Sequence, residues 1–180
     1  MMKWAVEEAV GRLSSTNKAV RTTSLRLSRL YGMGEGMRWS EVPHGFAAKA
    51  ARGEEIELRN PAQRYDLLHL HDAVAAIMFI ACRYEEDWET VYNVGGGGVV
   101  SLAELAGVAN RAAIGLGLPG ARIIEAWEDG PAGEGSSWPV VLDSGRLEAA
   151  GWRARVSLEE GVGEVVAAVQ SGTPPGRATK

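Results

Sequence analysis

Cysteine is almost absent from this sequence. One residue, Cys82, among 180 excludes an internal disulfide and any zinc site built on several thiolates. Set in the apolar run AVAAIMFIAC, it reads as a core residue rather than a nucleophile. Clustered positive charge is lacking too: 19 Lys and Arg face 23 Asp and Glu, for a net charge of −4, and no basic run offers the footprint that nucleic acid requires. No apolar run approaches the ~18 residues that span a bilayer, and Glu7, Glu8 and Arg12 interrupt the first segment where a secretory leader would be unbroken. The expectation is a cytoplasmic chain with neither membrane nor nucleic acid as partner.

What is present suits an ordinary folded domain. Hydrophobic residues make up 46% of the chain, and a chain of this length buries roughly 70% of its unfolded surface. Met2, Ala5, Val6, Ala9, Val10 and Leu13 recur at helical spacing, which predicts an amphipathic helix over 2–13. The run AVRTTSLRLSRLYG, ending at Gly32, reads as one strand; VPHGFAAKAARG reads as a helix with Pro43 in its first turn and Gly53 as its C-terminal cap. EEIELRN and RYDLLHL read as extended runs about an Asn60-Pro61 turn, and Asp72 as the cap of the apolar helix that follows. VYNV is a short buried strand closed by glycines. Capping boxes at Ser101/Glu104 and Ser157/Glu160 open two more helices, and ARIIEAW and WPVVLD read as strands between them. One domain over 1–170 and a disordered tail over 171–180 are expected.

Few motifs carry chemistry. Gly95 to Gly98 could admit a phosphate, but neither G-x-G-x-x-G nor a Walker lysine is present, and a strand-to-helix turn is the plainer reading. His69 and His71 alternate along one run with Asp72 beside them, a geometry that could hold a metal. No third converging ligand is visible, and the same residues serve as a strand end plus a helix cap, so no metal is expected. Arg64 can present its forked donors to a phosphate or carboxylate, or form a surface ion pair; both readings stand.

Taken in order, the pieces resemble one family. Lys3 and Glu7 as K-x-x-x-E on a helix come first, then R-L-S-R-L-Y-G from Arg26 to Gly32. G-x-x-I-x-L and R-Y-D-L-L-H-L-H-D-A-V-A follow, from Gly53 to Ala75, and then Y-N-V-G-G-G with S-L-A-E-L, L-D-S and a late G-W. The set is similar to the second half of the extended short-chain dehydrogenase/reductase family, the NAD-dependent nucleotide-sugar epimerases and dehydratases. The resemblance implies an α/β fold: the C-terminal part of a doubly wound Rossmann-like domain plus a small mixed substrate-binding lobe, without the N-terminal dinucleotide-binding half.

The resemblance also implies roles. Lys3 falls on the family's catalytic lysine, which lowers a tyrosine's pKa and binds the cofactor ribose, but no tyrosine precedes it in this sequence, so its catalytic role is vestigial. Ser28 falls beside the nicotinamide position; Arg29 replaces the family's sugar-nucleotide asparagine, and Tyr31 of the same stretch is placed on the substrate side. Arg64 falls on the arginine that grips the diphosphate, whereas Pro131-Ala132-Gly133-Glu134 lacks the second arginine of the family's R-x-G-D. A lost charged hydrogen bond is worth about 1.5–3 kcal/mol, so weak nucleotide-sugar binding is expected. NAD or NADP is the implied cofactor, with binding by this chain alone not expected. The expected function is a truncated homologue without oxidoreductase activity of its own; the rivals are half of a split enzyme completed by a separate Rossmann chain, and a non-catalytic interaction module. A homodimer or such a Rossmann-half partner would cover the strand near residues 20–27 and the helix face of Val6, Val10 and Leu13.

Overall fold

The computed structural model describes residues 2–34, 40–126 and 141–172. Along these, helix α1 (Met2–Thr16) leads into strands β1 (Ser24–Leu27) and β2 (Arg29–Tyr31), then α2 (Val42–Arg52), β3 (Glu55–Leu58), β4 (Arg64–His69) and α3 (Leu70–Ala81). After a single 3-10 turn come β5 (Val91–Val94), β6 (Val99–Ser101), α4 (Leu102–Gly115), β7 (Arg122–Glu125), α5 (Gly145–Ala149) and α6 (Leu158–Gln170). The result is a mixed α/β fold whose strand pairs are mostly parallel: β1 with β5, β2 with β4, and β3 with β7, while β6 runs antiparallel to β4.

The stretch expected as one strand is two. Ser28 breaks it, because its amide still donates to the Val94 carbonyl at 3.0 Å while Arg29 begins pairing with Leu67. The chain thus leaves the β1–β5 pair for the β2–β4–β6 sheet within one residue. β3 and β4, adjacent in sequence, do not pair with each other; each finds a partner across a helix instead.

Two cores result. Helices α2, α4 and α6 pack on one another and on one face of β2 and β4, burying Tyr31, Leu67, Leu105, Val108, Val162 and Val165. Alanines at 47, 50, 109 and 113 let these helices approach closely. The other core lies between α3 and one face of β1 and β5, where Leu68, Ala76, Ile80, Tyr92, Val94 and Trp152 meet. Both expected capping boxes are formed, with Ser101 and Ser157 each accepting from the amide three residues on. Gly53 closes α2 in the left-handed region, φ 71°.

Three expectations change. α3 starts at Leu70 with His69 as its cap, not Asp72; the ring Nδ1 of His69 accepts from the His71 amide at 3.3 Å. The Asp72 carboxylate turns away from its own helix to accept from the amides of Arg155, at 3.0 Å, and Val156, at 2.9 Å. Cys82, expected in the core, is exposed, because it lies one residue past the last turn of α3 on the side away from the sheet. Residues 141–143, expected as the end of a strand, have no ladder partner; Leu142 is tied down by a side chain, its amide donating to Asp66 Oδ2 at 3.0 Å. Residues 138–140, Pro131 to Glu134 and residues 173–180 lie outside the described residues.

Helix α1 stands apart from both cores. Trp4, Val6 and Leu13 are 68%, 61% and 48% exposed, Val10 is half-buried, and the helix is held chiefly by a two-pronged ion pair from Arg26 of β1 to Glu7, at 2.9 and 2.6 Å. Among the described residues β1 pairs on one side only. None of the described helices is long and apolar enough to cross a membrane.

Candidate functional site

The site is set by the side-chain alternation of β2 and β4. In register, Arg29 lies beside Leu67 and Tyr31 beside His69, so Arg29, Tyr31, Tyr65, Leu67 and His69 share one face. The Arg29 guanidinium accordingly sits 4.7 Å from the centre of the Tyr65 ring, with Glu41 of the following loop 3.7 Å away. That stacking stiffens a long side chain, and its Nη1 is the atom that meets Glu41.

Arg64 belongs to the other face. It opens β4 opposite Ser101, where its charge reaches the Glu104 carboxyl. The Ser101 amide and hydroxyl, and then Arg64, hold that carboxyl below its ordinary range. By strand alternation Arg64, expected on the diphosphate, and Arg29, expected where the family's sugar-nucleotide asparagine falls, start from opposite faces of the sheet.

Tyr31 is buried, with its ring edge-on to His69, centroids 5.1 Å apart. Burial first, and then the charges of Asp72, Glu159, Glu164 and Glu160, push its phenol well above the ordinary tyrosine range. It cannot release a proton near neutral pH and so is no stand-in for a catalytic phenol. Its ring forms one wall of a groove of about 230 Å³ with Leu67, Gly96 to Gly98 and Leu158. The Ser28 hydroxyl is fully enclosed with no hydrogen-bond partner. Lys3 is exposed on the first turn of α1.

The glycine turn has a structural occupation. The Gly96 amide donates to Asp66 Oδ1 at 2.8 Å, and the Gly95 amide donates to the Ser144 hydroxyl at 2.8 Å. A pyrophosphate cradle needs free amides and no adjacent carboxylate; here the first two amides are committed and a buried aspartate stands against them. The turn does not fit the phosphates of a dinucleotide. Asp66 and Ser144, which sequence reasoning missed as a pair, carry this arrangement; an aspartate in the middle of an apolar strand was the available cue.

A second cleft, about 430 Å³, lies on the α1 side of β1 and β5 and is lined by Arg26, Val91, Asn93, Asp143 and Arg146. Asn93 spans it, donating to the Asp143 carbonyl at 3.2 Å.

With this geometry in hand, the relatives can be placed. The family model described as the NAD dependent epimerase/dehydratase family matches residues 1–95, more than half the chain. The chain belongs to that family. Among solved structures, it is similar to UDP-glucose 4-epimerase from Thermotoga maritima determined with UDP-glucose, at 20% identity and TM-score 0.76, covering 96% of this chain and 53% of that one. It also resembles RMD from Pseudomonas aeruginosa in complex with NADPH, at 19% identity and TM-score 0.74, covering 94% and 55%. UDP-glucose 4-epimerase from Thermus thermophilus, in complex with NAD, matches at 21% identity and TM-score 0.69, covering 92% and 51%. These likenesses show the fold. The chain spans about half the length of the solved structures it matches. No curated protein matches it.

Proposed function

We propose that these 180 residues form the nucleotide-sugar side of an NAD- or NADP-dependent epimerase or dehydratase, and that they carry out no oxidoreductase chemistry without a glycine-rich half. Such a half, in the same polypeptide or in a second one, supplies the dinucleotide cradle and the phenolic proton carrier. The observation that carries this reading is the commitment of the Gly95 and Gly96 amides to Ser144 and Asp66, which keeps the first two amides of the Gly95–Gly98 turn from a pyrophosphate. Lys3, exposed on the first turn of α1, supplies charge to the completed site.

On the substrate side, Arg29 stacked on Tyr65 is the group best placed to meet a diphosphate. Ser28, on the cofactor side in this reading, keeps its enclosed hydroxyl unpartnered at the point where the chain passes between sheets. Tyr31 acts through its ring as a wall of the groove, and Arg64 contributes from the opposite face. The exposed α1 face and the open edge of β1 are the surfaces that the glycine-rich half, or a second copy of this chain, would cover.

The test uses calorimetry with UDP-glucose, then with NAD, on the 180-residue chain, followed by activity after adding or fusing a glycine-rich half from a family member. UDP-glucose binding without NAD binding, and turnover only in the completed protein, is expected. Reduction of NAD by the 180-residue chain alone would overturn the reading.

A further inference from the structure

The geometry points to a binding site for a zinc-like divalent transition-metal ion formed by His69, His71 and Glu164. The sequence places the two histidines together but offers no third ligand; the fold brings one from α6. The nearest ligand atoms of the three side chains all lie within 4.8 Å of one another, and the His69 and His71 rings stand edge to face, centroids 4.9 Å apart.

Two observations separate this cluster from a chance gathering. His69 already serves as the cap of α3 through Nδ1, so that role makes no use of Nε2. Yet Nε2 is fully buried and has no hydrogen-bond partner, an arrangement that native cores avoid. Glu164 Oε2 faces it at 3.2 Å. Two ligand atoms that share a tetrahedral ion at bond lengths of about 2.0–2.1 Å lie about 3.3–3.4 Å apart. The spacing found is thus that of neighbouring ligands.

The donor set suits the ion. Two imidazoles and one carboxylate, with water in the fourth place, are ligands that zinc accepts. Glu164 neutralises one charge, and Asp72 adds negative potential at His69. His71 is exposed and turns about its own side-chain bonds to close the remaining distance. When the ion takes Nε2, the neutral ring carries its proton on Nδ1. That costs the contact from the His71 amide, which at 3.3 Å is at the long end of hydrogen bonding. The third histidine, His44, lies apart from the cluster with Nε2 2.8 Å from the Gly32 carbonyl. Since His69 ends β4, His71 lies in the first turn of α3 and Glu164 sits on α6, a bound ion staples α6 to the sheet. The site does not depend on the nucleotide-sugar reading.

The test is titration of the 180-residue chain, free of any histidine tag and carrying Cys82→Ser to remove the exposed thiol, with zinc chloride by calorimetry and thermal melting. One equivalent should bind and raise the melting midpoint. Glu164→Gln and His71→Ala, both at solvent-reached positions, should each weaken binding at least tenfold with circular dichroism unchanged. Absence of stoichiometric binding to the Cys82→Ser chain, or binding that neither variant changes by more than twofold, would overturn the proposal.

Discussion

Gly96 crosses β4 so closely that a Cβ added to it would lie 1.8 Å from the carbonyl oxygen of Leu67. No side chain can occupy that space, and the obstacle is backbone inside a paired strand, so nothing nearby yields. Gly96→Ala should lower stability by at least about 3 kcal/mol or abolish folding. Gly98, two residues on, has open space around its would-be Cβ and a backbone angle that any residue adopts; Gly98→Ala should change stability by less than about 1 kcal/mol. Urea denaturation of both variants checks the contrast.

Asp72 argues a second case. Its two carboxylate oxygens accept the amides of Arg155 and Val156, joining the start of α3 to the segment that leads into α6. Removing the acceptor strands two part-buried N–H groups, each worth about 1–3 kcal/mol. Asp72→Ala should therefore destabilise the chain by about 3 kcal/mol, and Asp72→Asn, which keeps one acceptor oxygen, by less. Amide hydrogen exchange at Arg155 and Val156 should quicken in both.

Acid should weaken the fold in a defined window. The Glu104 and Glu160 carboxyls are held below their ordinary value chiefly by the Ser101 and Ser157 amides of their own capping boxes. A group whose folded pKa is depressed adds stability above its unfolded value, and that stability is lost as pH falls through the folded value. Stability should thus decline below about pH 4.5. The double variant Glu104→Gln, Glu160→Gln should flatten that decline; an equal slope in both proteins, measured by denaturant melts from pH 6 to 3, would count against the assignment.

The exposed side of α1 predicts association. Val6 and Leu13 share one side of α1 with the half-buried Val10 and leave an apolar stripe near β1, which among the described residues pairs on one side only, a surface that soluble monomers rarely keep. Light scattering on the 180-residue chain should show self-association at micromolar concentration, and Val6→Ser with Leu13→Ser should reduce it. A stable wild-type monomer would remove the second copy as occupant.

Local chemistry was the readable part of this fold. Pro43 with Gly53, and the pairs Ser101/Glu104 and Ser157/Glu160, delimit helices by hydrogen bonds that span three or four residues, and the structure places those helices as expected. What sequence could not convey is set by distant partners. Ser28 splits an alternating run that reads as one strand because Val94 and Leu67 compete for successive residues. Asp72 resembles a helix cap until Arg155 and Val156 claim it, and Cys82 sits at the end of an apolar helix whose outer side, Val74, Ile77 and Met78, is itself exposed. Arg29, Tyr31 and Arg64 could be singled out in the sequence as candidates, but the face each would occupy could not. One-residue offsets along a strand reverse direction, and the register of β2 on β4 emerges only in the fold.

That reversal yields a prediction about binding. Arg29 is stacked on Tyr65 beside the groove wall formed by Tyr31 and Leu67, whereas Arg64 starts from the opposite face of β4 and its charge acts on Glu104. If the diphosphate of a nucleotide sugar lies along the Arg29 face, Arg29→Ala removes a charged hydrogen bond worth about 1.5–3 kcal/mol. Because Arg29 is nearly half exposed, water and salt reduce that value, and a loss of about tenfold in affinity for UDP-glucose is expected. Arg64→Ala should change affinity by less than twofold. Tyr65→Leu separates stacking from charge: it keeps the guanidinium but frees it to move, and should fall between the two. Calorimetry on the three variants decides the face; equal losses from Arg29→Ala and Arg64→Ala would mean that the ligand bridges the sheet edge and touches both sides.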